Sequence, residues 1–284
     1  MKKINKLLLV VAIVLFGVSC SQSDDENNLS AIKSPAENIG TLHNDGLDFI
    51  FARLQSSGLE DNNSLRNSIT AASISSKQVV SLSCEYVQTI PEYKAVIKLV
   101  NVDDMASQLD NVRKDLTAKG IENFWSSVLN DNSFKNINLS SSEQKAVAET
   151  EQIFLNLSIS NLSLKQQYDY IKTNVSKIQS TYEKDLLAKN QGELLSGLIE
   201  IINSSNDYWY SLATTTSTPP IDIVPIINLD AAGYLVGWAQ IWWTESSSSG
   251  YSNSKEAQGR RIGYGLTSAL AYSTFGMYRP VLKY

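Results

Sequence analysis

The sequence predicts an all-α fold, a multi-helix bundle that ends in a C-terminal helical hairpin rich in small residues. Three observations lead to this prediction. Apolar residues recur at helical spacing along most of the chain, residue types typical of helix starts and ends bound these stretches, and strands joined by short turns are not evident. Because the 284 residues include only two cysteines, we expect the fold to depend on apolar burial rather than on disulfides.

The first 19 residues are typical of a secretory signal peptide. Three lysines precede an apolar run over residues 7–16, which is too short to span a bilayer, and small residues stand just before Cys20. The surroundings of Cys20 resemble the lipobox of bacterial lipoproteins, although Gly17 stands where that motif usually has leucine. The resemblance implies that Cys20 becomes the acylated first residue. The alternative is ordinary cleavage after Ser19, which would leave a soluble secreted protein.

An acidic cluster follows the cysteine. Ser23, Asp24, Asp25 and Glu26 resemble the surface-export signal of Bacteroidota lipoproteins, and this resemblance covers about the first 26 residues. It implies an outer-membrane protein that is held in the membrane by its lipid and faces the cell exterior. Residues 20–39 have too few apolar side chains to pack, so they are interpreted as a disordered acidic tether.

A helical body is predicted over residues 40–213. Its first helix begins near Gly40 and carries apolar residues on one face, namely Leu47, Ile50, Phe51 and Leu54. Residues 59–76 are mostly polar and are interpreted as a loop. Residues 77–90 fit either a helix or a strand, and a helix is favoured because no partner strand is evident nearby. Pro91 suits the first turn of a further helix.

Polar residues mark the starts of three later helices. Asn101 precedes an amphipathic segment. Ser140 with Glu143, and Ser163 with Gln166, match the capping box, in which two side chains each satisfy a backbone amide at the start of a helix. These signals predict helices that begin just after residues 101, 140 and 163.

Breaks in the pattern divide the rest of the chain. Residues 121–129, with Trp125, predict a short apolar helix, and residues 190–192 predict an interruption between two longer helices. Residues 214–225 contain three prolines and are interpreted as a linker. Residues 226–284 then predict the helical hairpin, packed on the body.

Glycines recur in both segments of this hairpin. Gly233 and Gly237 are one turn apart, and Gly259 and Gly263 repeat the spacing. A glycine inside a helix costs about 1 kcal/mol relative to alanine, so their register predicts close helix packing. Asp230 is interpreted as a cap of the first segment. Membrane insertion of the hairpin is the alternative, and it is disfavoured because a charge within a bilayer is costly.

An aromatic row lies in the same segment. Tyr234, Trp238 and Trp242 recur at four-residue intervals and therefore share one helix face. Such a row either packs in a core or binds a sugar ring or a protein partner. Core packing is favoured, because a single apolar stripe is typical of a helix that faces a core.

The only histidine lies beside two carboxylates. The segment His43–Asp48 reads His-Asn-Asp-Gly-Leu-Asp and resembles the opening of uncharacterised exported bacterial proteins, which implies no activity. His43 could act as a general base that Asp45 or Asp48 orients. Because it lies on the apolar stripe of its helix, a buried structural histidine is favoured instead.

Composition narrows the function classes. Residues 1–19 contain three lysines and no acids, so their removal lowers the net charge from −5 to −8, which argues against nucleic acid as a partner. One histidine and one remaining cysteine, Cys84, argue against a zinc site, and no motif predicts a cofactor. We expect a binding or interaction module with a protein or glycan partner. The alternatives are a hydrolase of cell-surface polymers that uses His43, and a membrane-perturbing hairpin protein.

Overall fold

Helices make up most of the described part of the chain. The computed structural model describes residues 36, 38–56, 74–119, 137, 139–189, 192–215, 222–248 and 254–278. Within these residues there are eight α-helices, one short 3₁₀ helix at Val96–Leu99, and no strand. The α-helices are α1 (Ile39–Ser56), α2 (Ser76–Gln88), α3 (Val102–Lys119), α4 (Ser141–Ser158), α5 (Leu164–Lys189), α6 (Glu193–Thr215), α7 (Ile223–Ser248) and α8 (Lys255–Tyr278). The predicted all-α multi-helix fold is therefore confirmed.

Several sequence predictions concern residues outside these ranges. Cys20, the acidic cluster that follows it, the polar segment over 59–73 and the short helix predicted at 121–129 all lie outside the described residues. The segment that fitted both a helix and a strand forms α2, as favoured.

The predicted helix starts agree with the observed ones. In α4 the Ser140 hydroxyl accepts from the backbone N–H of Glu143 at 3.3 Å, and the Glu143 carboxylate accepts from the backbone N–H of Ser140 at 2.9 Å. Before α5, Gln166 Oε1 accepts from the backbone N–H of Ser163 at 2.9 Å. Asn101 Oδ1 accepts from two backbone amides in the first turn of α3. Local hydrogen bonding thus explains where these helices begin.

The hairpin of α7 and α8 forms the centre of the bundle. These two helices make the most extensive helix–helix contact, α6 and α1 pack around them, and α2 packs on α8. All but one of residues 223–235 and all of residues 261–276 are buried. A helix that is buried on every side is typical of the middle of a fold. The α4–α5 pair lies farther out, since α5 packs on α6.

Three local predictions need correction. Pro91 does not open an α-helix, because residues 91–95 form turns that lead into the 3₁₀ helix. The proline-rich linker is shorter than 214–225, since α6 continues to Thr215 and α7 begins at Ile223. Pro225 therefore lies in the first turn of α7, where a missing backbone N–H costs nothing. Asp230 lies two turns inside α7 and does not cap it.

The apolar hairpin does not qualify as a membrane-spanning segment. Among the described helices, none is both long enough and apolar enough to cross a bilayer.

Candidate functional site

His43 is sealed inside the bundle and faces a carboxylate from another helix. Its Nε2 atom lies 3.8 Å from Oδ1 of Asp230 on α7, and neither side chain has exposed surface. Its Nδ1 atom lies 3.3 Å from Oδ1 of Asn44. Asp45 and Asp48 are exposed, and Asp48 accepts a hydrogen bond from Tyr208 at 2.7 Å. The structure therefore does not bring together the acid–base group suggested by the sequence.

Asp230 is held by groups from a third helix. Its Oδ2 atom accepts hydrogen bonds from the Ser205 hydroxyl and from Trp209 Nε1, the latter at 3.2 Å, and both donors lie on α6. Burial raises the pKa of Asp230, whereas His43, Ser205, Ser273 and Trp209 lower it by favouring the carboxylate. Within the described part of the chain, His43 Nε2 and Asp230 Oδ1 make no hydrogen bond. This cluster brings together α1, α6, α7 and, through Ser273, α8, and it has no opening to solvent.

A second buried cluster surrounds Arg261 on α8. Its Nε atom donates to Glu193 Oε1 at 2.5 Å and its Nη1 atom to Glu245 Oε2 at 2.9 Å. Its guanidinium carbon lies 5.7 Å from the ring centroid of Trp238. Burial raises the pKa of Glu193, and Arg261 opposes that shift. The cluster compensates a buried cation with two carboxylates and joins α6, α7 and α8.

The predicted aromatic row mostly belongs to the core. Tyr234 is fully buried, Trp238 is 3% exposed and Trp242 is half-buried. The Tyr234 hydroxyl donates to the backbone carbonyl of Glu193 at 3.4 Å. Tyr234 and Trp238 therefore present no surface to a ligand, which agrees with the favoured core interpretation and not with the binding alternative.

The four hairpin glycines have different surroundings. A Cβ atom on Gly237 would lie 2.7 Å from both Ser268 Cβ and the Tyr264 carbonyl oxygen, and one on Gly233 would lie about as close to α8. Gly263 lies against Tyr93 and Val96, beside the 3₁₀ helix, and not against α7. The interpretation of Gly259 as a packing residue is corrected, since its nearest neighbour would be a carbonyl oxygen 3.8 Å away. Of these four glycines, the two on α7 therefore mark the close approach within the hairpin, and on α8 it is Gly265 and Gly276 that lie against Tyr234 and Leu229 of α7.

An accessible pocket lies between α4 and α5. Its volume is about 270 Å³, slightly below the roughly 300–1,000 Å³ typical of small-molecule sites. Ile153 and Ile178 supply its apolar lining, and both are buried. The rest of the lining is polar and consists of Glu149, Gln152, Asn156, Tyr170, Asn174, Lys177 and Thr181. The pocket therefore combines a small apolar surface with many hydrogen-bonding groups.

Hydrogen bonds fix the amide groups of this pocket. Gln152 Nε2 donates to Asn156 Oδ1 at 2.9 Å, and Asn156 Nδ2 donates to the Tyr170 hydroxyl at 3.0 Å. Asn174 Nδ2 donates to the backbone carbonyl of Tyr170 at 2.8 Å. Each amide retains further donor and acceptor capacity. These hydrogen bonds orient the three amide groups along the pocket.

Charges of both signs line the pocket. Glu149 lies on α4 and accepts a hydrogen bond from Tyr182 at 2.6 Å. Lys177 lies on α5 and makes no ion pair with the residues that the structure describes. Because one carboxylate and one ammonium are present, the lining has no net charge.

Sequence reasoning did not identify the pocket. Gln152 and Asn156 are four residues apart, as are Tyr170 and Asn174, so each pair lies on one helix face. These two polar rows are the features of the sequence that could have indicated the pocket. Only the packing of α4 on α5 shows that the rows face the same cavity.

The fold and the pocket define an all-α protein with a polar site between two peripheral helices. Comparison with protein-family models, curated proteins and solved structures finds no match. Among the described residues, no three of the histidine, cysteine, aspartate and glutamate side chains come together in a way that could hold a metal ion.

Proposed function

We propose that this chain is a lipid-anchored binding module of the outer membrane, displayed to the cell exterior, which binds a small ligand in the α4–α5 pocket. The single observation that carries the binding role is the pocket itself, since it is open and lined by pre-positioned polar groups. The anchor and the location rest on Cys20 and the acidic cluster after it.

Binding is favoured over catalysis by where the ionisable groups lie. The pKa values of Asp230 and Glu193 are shifted by burial, as those of catalytic acids often are. However, both groups lie in buried clusters that join helices, and His43 has no exposed surface. A substrate in solution has no access to Asp230 and little access to Glu193, whose side chain is 6% exposed. In the pocket, by contrast, the groups are suited to hydrogen bonding.

The anchor is tested by labelling expressing cells with radioactive palmitate. We expect the wild-type protein and Cys84→Ala to be labelled and Cys20→Ala to be unlabelled. Proteinase K added to intact cells should digest the wild-type protein. Label that persists in Cys20→Ala would overturn the anchor, and full protection from the protease would overturn surface display.

The binding role is tested by blocking the pocket. Thr181 lines it, whereas its neighbour Ser180 on α5 does not. We expect compounds from a small-metabolite library to raise the melting temperature of the wild type and of Ser180→Trp, but not that of Thr181→Trp. A library without any stabilising compound, or equal responses of the two tryptophan variants, would contradict binding in the pocket.

A further inference from the structure

The chemistry of the α4–α5 pocket indicates one class of ligand. We propose that the pocket binds an uncharged sugar ring through the amides of Gln152, Asn156 and Asn174, an inference that rests on the proposed binding role of the same pocket. The chain would then recognise neutral saccharides at the cell surface.

The polar groups of the pocket are of the type that binds sugar hydroxyls. Asn and Gln side chains each offer a donor and an acceptor in one plane, and a sugar hydroxyl both donates and accepts. The three amides are distributed over both walls, with Gln152 and Asn156 on α4 and Asn174 on α5. Neighbouring hydroxyls of one ring could therefore bond to both walls.

The charges of the lining favour a neutral ligand. Glu149 and Lys177 lie on opposite walls, so their charges offset each other for a ligand between them. A site for an anion or a cation would instead concentrate one sign of charge. The pocket therefore favours a ligand without net charge.

An aromatic ring also lines the pocket. Tyr170 is half-buried and its hydroxyl bonds to Asn156, whereas Ile153 and Ile178 are 4% and 3% exposed and offer a ligand little surface. A pyranose has C–H groups on its faces and hydroxyls around its edge, so one face can pack on the Tyr170 ring while the hydroxyls bond to the amides. The volume of about 270 Å³ suits one ring.

Saturation-transfer NMR and titration of the full chain test this proposal. The neutral probes are glucose, galactose and N-acetylglucosamine, and the charged probes are glucuronate and glucosamine. We expect at least one neutral sugar to bind more tightly than both charged probes. We expect Gln152→Ala and Asn156→Ala each to weaken the affinity for that sugar about tenfold. Asn111→Ala, at an exposed position on α3, should bind as the wild type does.

Salt provides a second readout. Affinity for the neutral sugar should stay constant between about 0.05 and 0.5 M NaCl, because screening weakens ion pairs and not neutral hydrogen bonds. If a charged probe binds in the pocket more tightly than the neutral sugars, the assignment to a neutral sugar is wrong, although the binding role of the pocket is retained. If no sugar binds while other metabolites stabilise the wild type but not Thr181→Trp, the sugar assignment alone fails. If no compound of either set binds in the pocket, both proposals fail.

Discussion

The Nε2 atom of His43 lies 3.8 Å from Oδ1 of Asp230, and neither side chain has any exposed surface. The two residues come from α1 and α7, so their approach fixes α1 on the central hairpin. Ser205 and Trp209 complete the cluster from α6. The only histidine of the chain is therefore part of a buried cluster that connects α1 with α6 and α7.

Loss of His43 should destabilise the fold. His43→Ala leaves Asp230 buried without its neighbour and creates a cavity, so we expect the free energy of unfolding to fall by about 3 kcal/mol. Urea denaturation followed by circular dichroism measures this change. Asp45→Ala, an exposed position on the same helix, should change stability by less than about 0.5 kcal/mol. Equal stability of the two variants would contradict the structural role.

The free energy of unfolding should decrease as the pH rises, because the buried Asp230 carboxyl then loses its proton. Burial raises its pKa in the folded state above the unfolded value of about 3.9, so between these values the folded protein binds more protons. The stability that this group contributes is complete below about pH 3.9 and is lost as the pH rises through the folded pKa, by up to about 1.4 kcal/mol per pH unit.

Urea titrations of the wild type and of Asp230→Asn between about pH 4 and pH 8 measure this dependence. The groups that face Asp230 are His43 from α1, Ser205 and Trp209 from α6, and Ser273 from α8. We expect the stability of the wild type relative to the variant to decrease as the pH rises. A constant difference, or one that increases, would contradict the raised pKa.

Alanine at two hairpin glycines should have opposite effects. At Gly237 the new Cβ would lie 2.7 Å from Ser268 and from the Tyr264 carbonyl oxygen, so we expect a loss of about 2 kcal/mol from overpacking. At Gly259 the nearest atom of another segment would be 3.8 Å from the new Cβ. Gly259→Ala should therefore raise the free energy of unfolding by about 0.5 kcal/mol, because alanine has the higher helix propensity. Thermal unfolding compares them, and an unchanged melting temperature in Gly237→Ala would refute the close helix contact.

Cys84 should resist thiol reagents while the protein is folded. Its thiol is buried, and burial raises its pKa to about 11. In the Cys20→Ala chain, where Cys84 is the only cysteine, we expect iodoacetamide at about pH 8 to react at least about 100-fold more slowly in buffer than in urea. Similar rates in the two conditions would show that Cys84 is accessible.

Local patterns in the sequence account for much of the fold, since each depends on residues a few positions apart. The helix caps before α4 and α5 are of this kind, as is the apolar stripe that placed His43 on a buried face. The partner of His43 could not be predicted, because Asp230 lies far along the chain. Asp230 was interpreted as a cap, since an aspartate near the expected start of an apolar helix is typical of one.

Local sequence patterns could not predict the candidate site either, because its two walls lie on different helices. Asn156 and Asn174 line one pocket only because α4 packs on α5 in a particular register, which depends on contacts throughout the bundle. The aromatic row gave a stronger sequence signal, yet Tyr234 and Trp238 are in the core. Spacing shows that residues share a helix face, and tertiary packing decides whether that face meets solvent.

Chemical-shift mapping of the isotope-labelled full chain, titrated with the neutral sugars, locates the binding site directly. We expect the backbone amides of Gln152, Asn156, Tyr170 and Asn174 to shift in a saturable way, while those of His43 and Asp230 do not. Saturable shifts centred on His43 and Asp230, or the absence of saturable shifts with every sugar, would contradict sugar binding in the pocket.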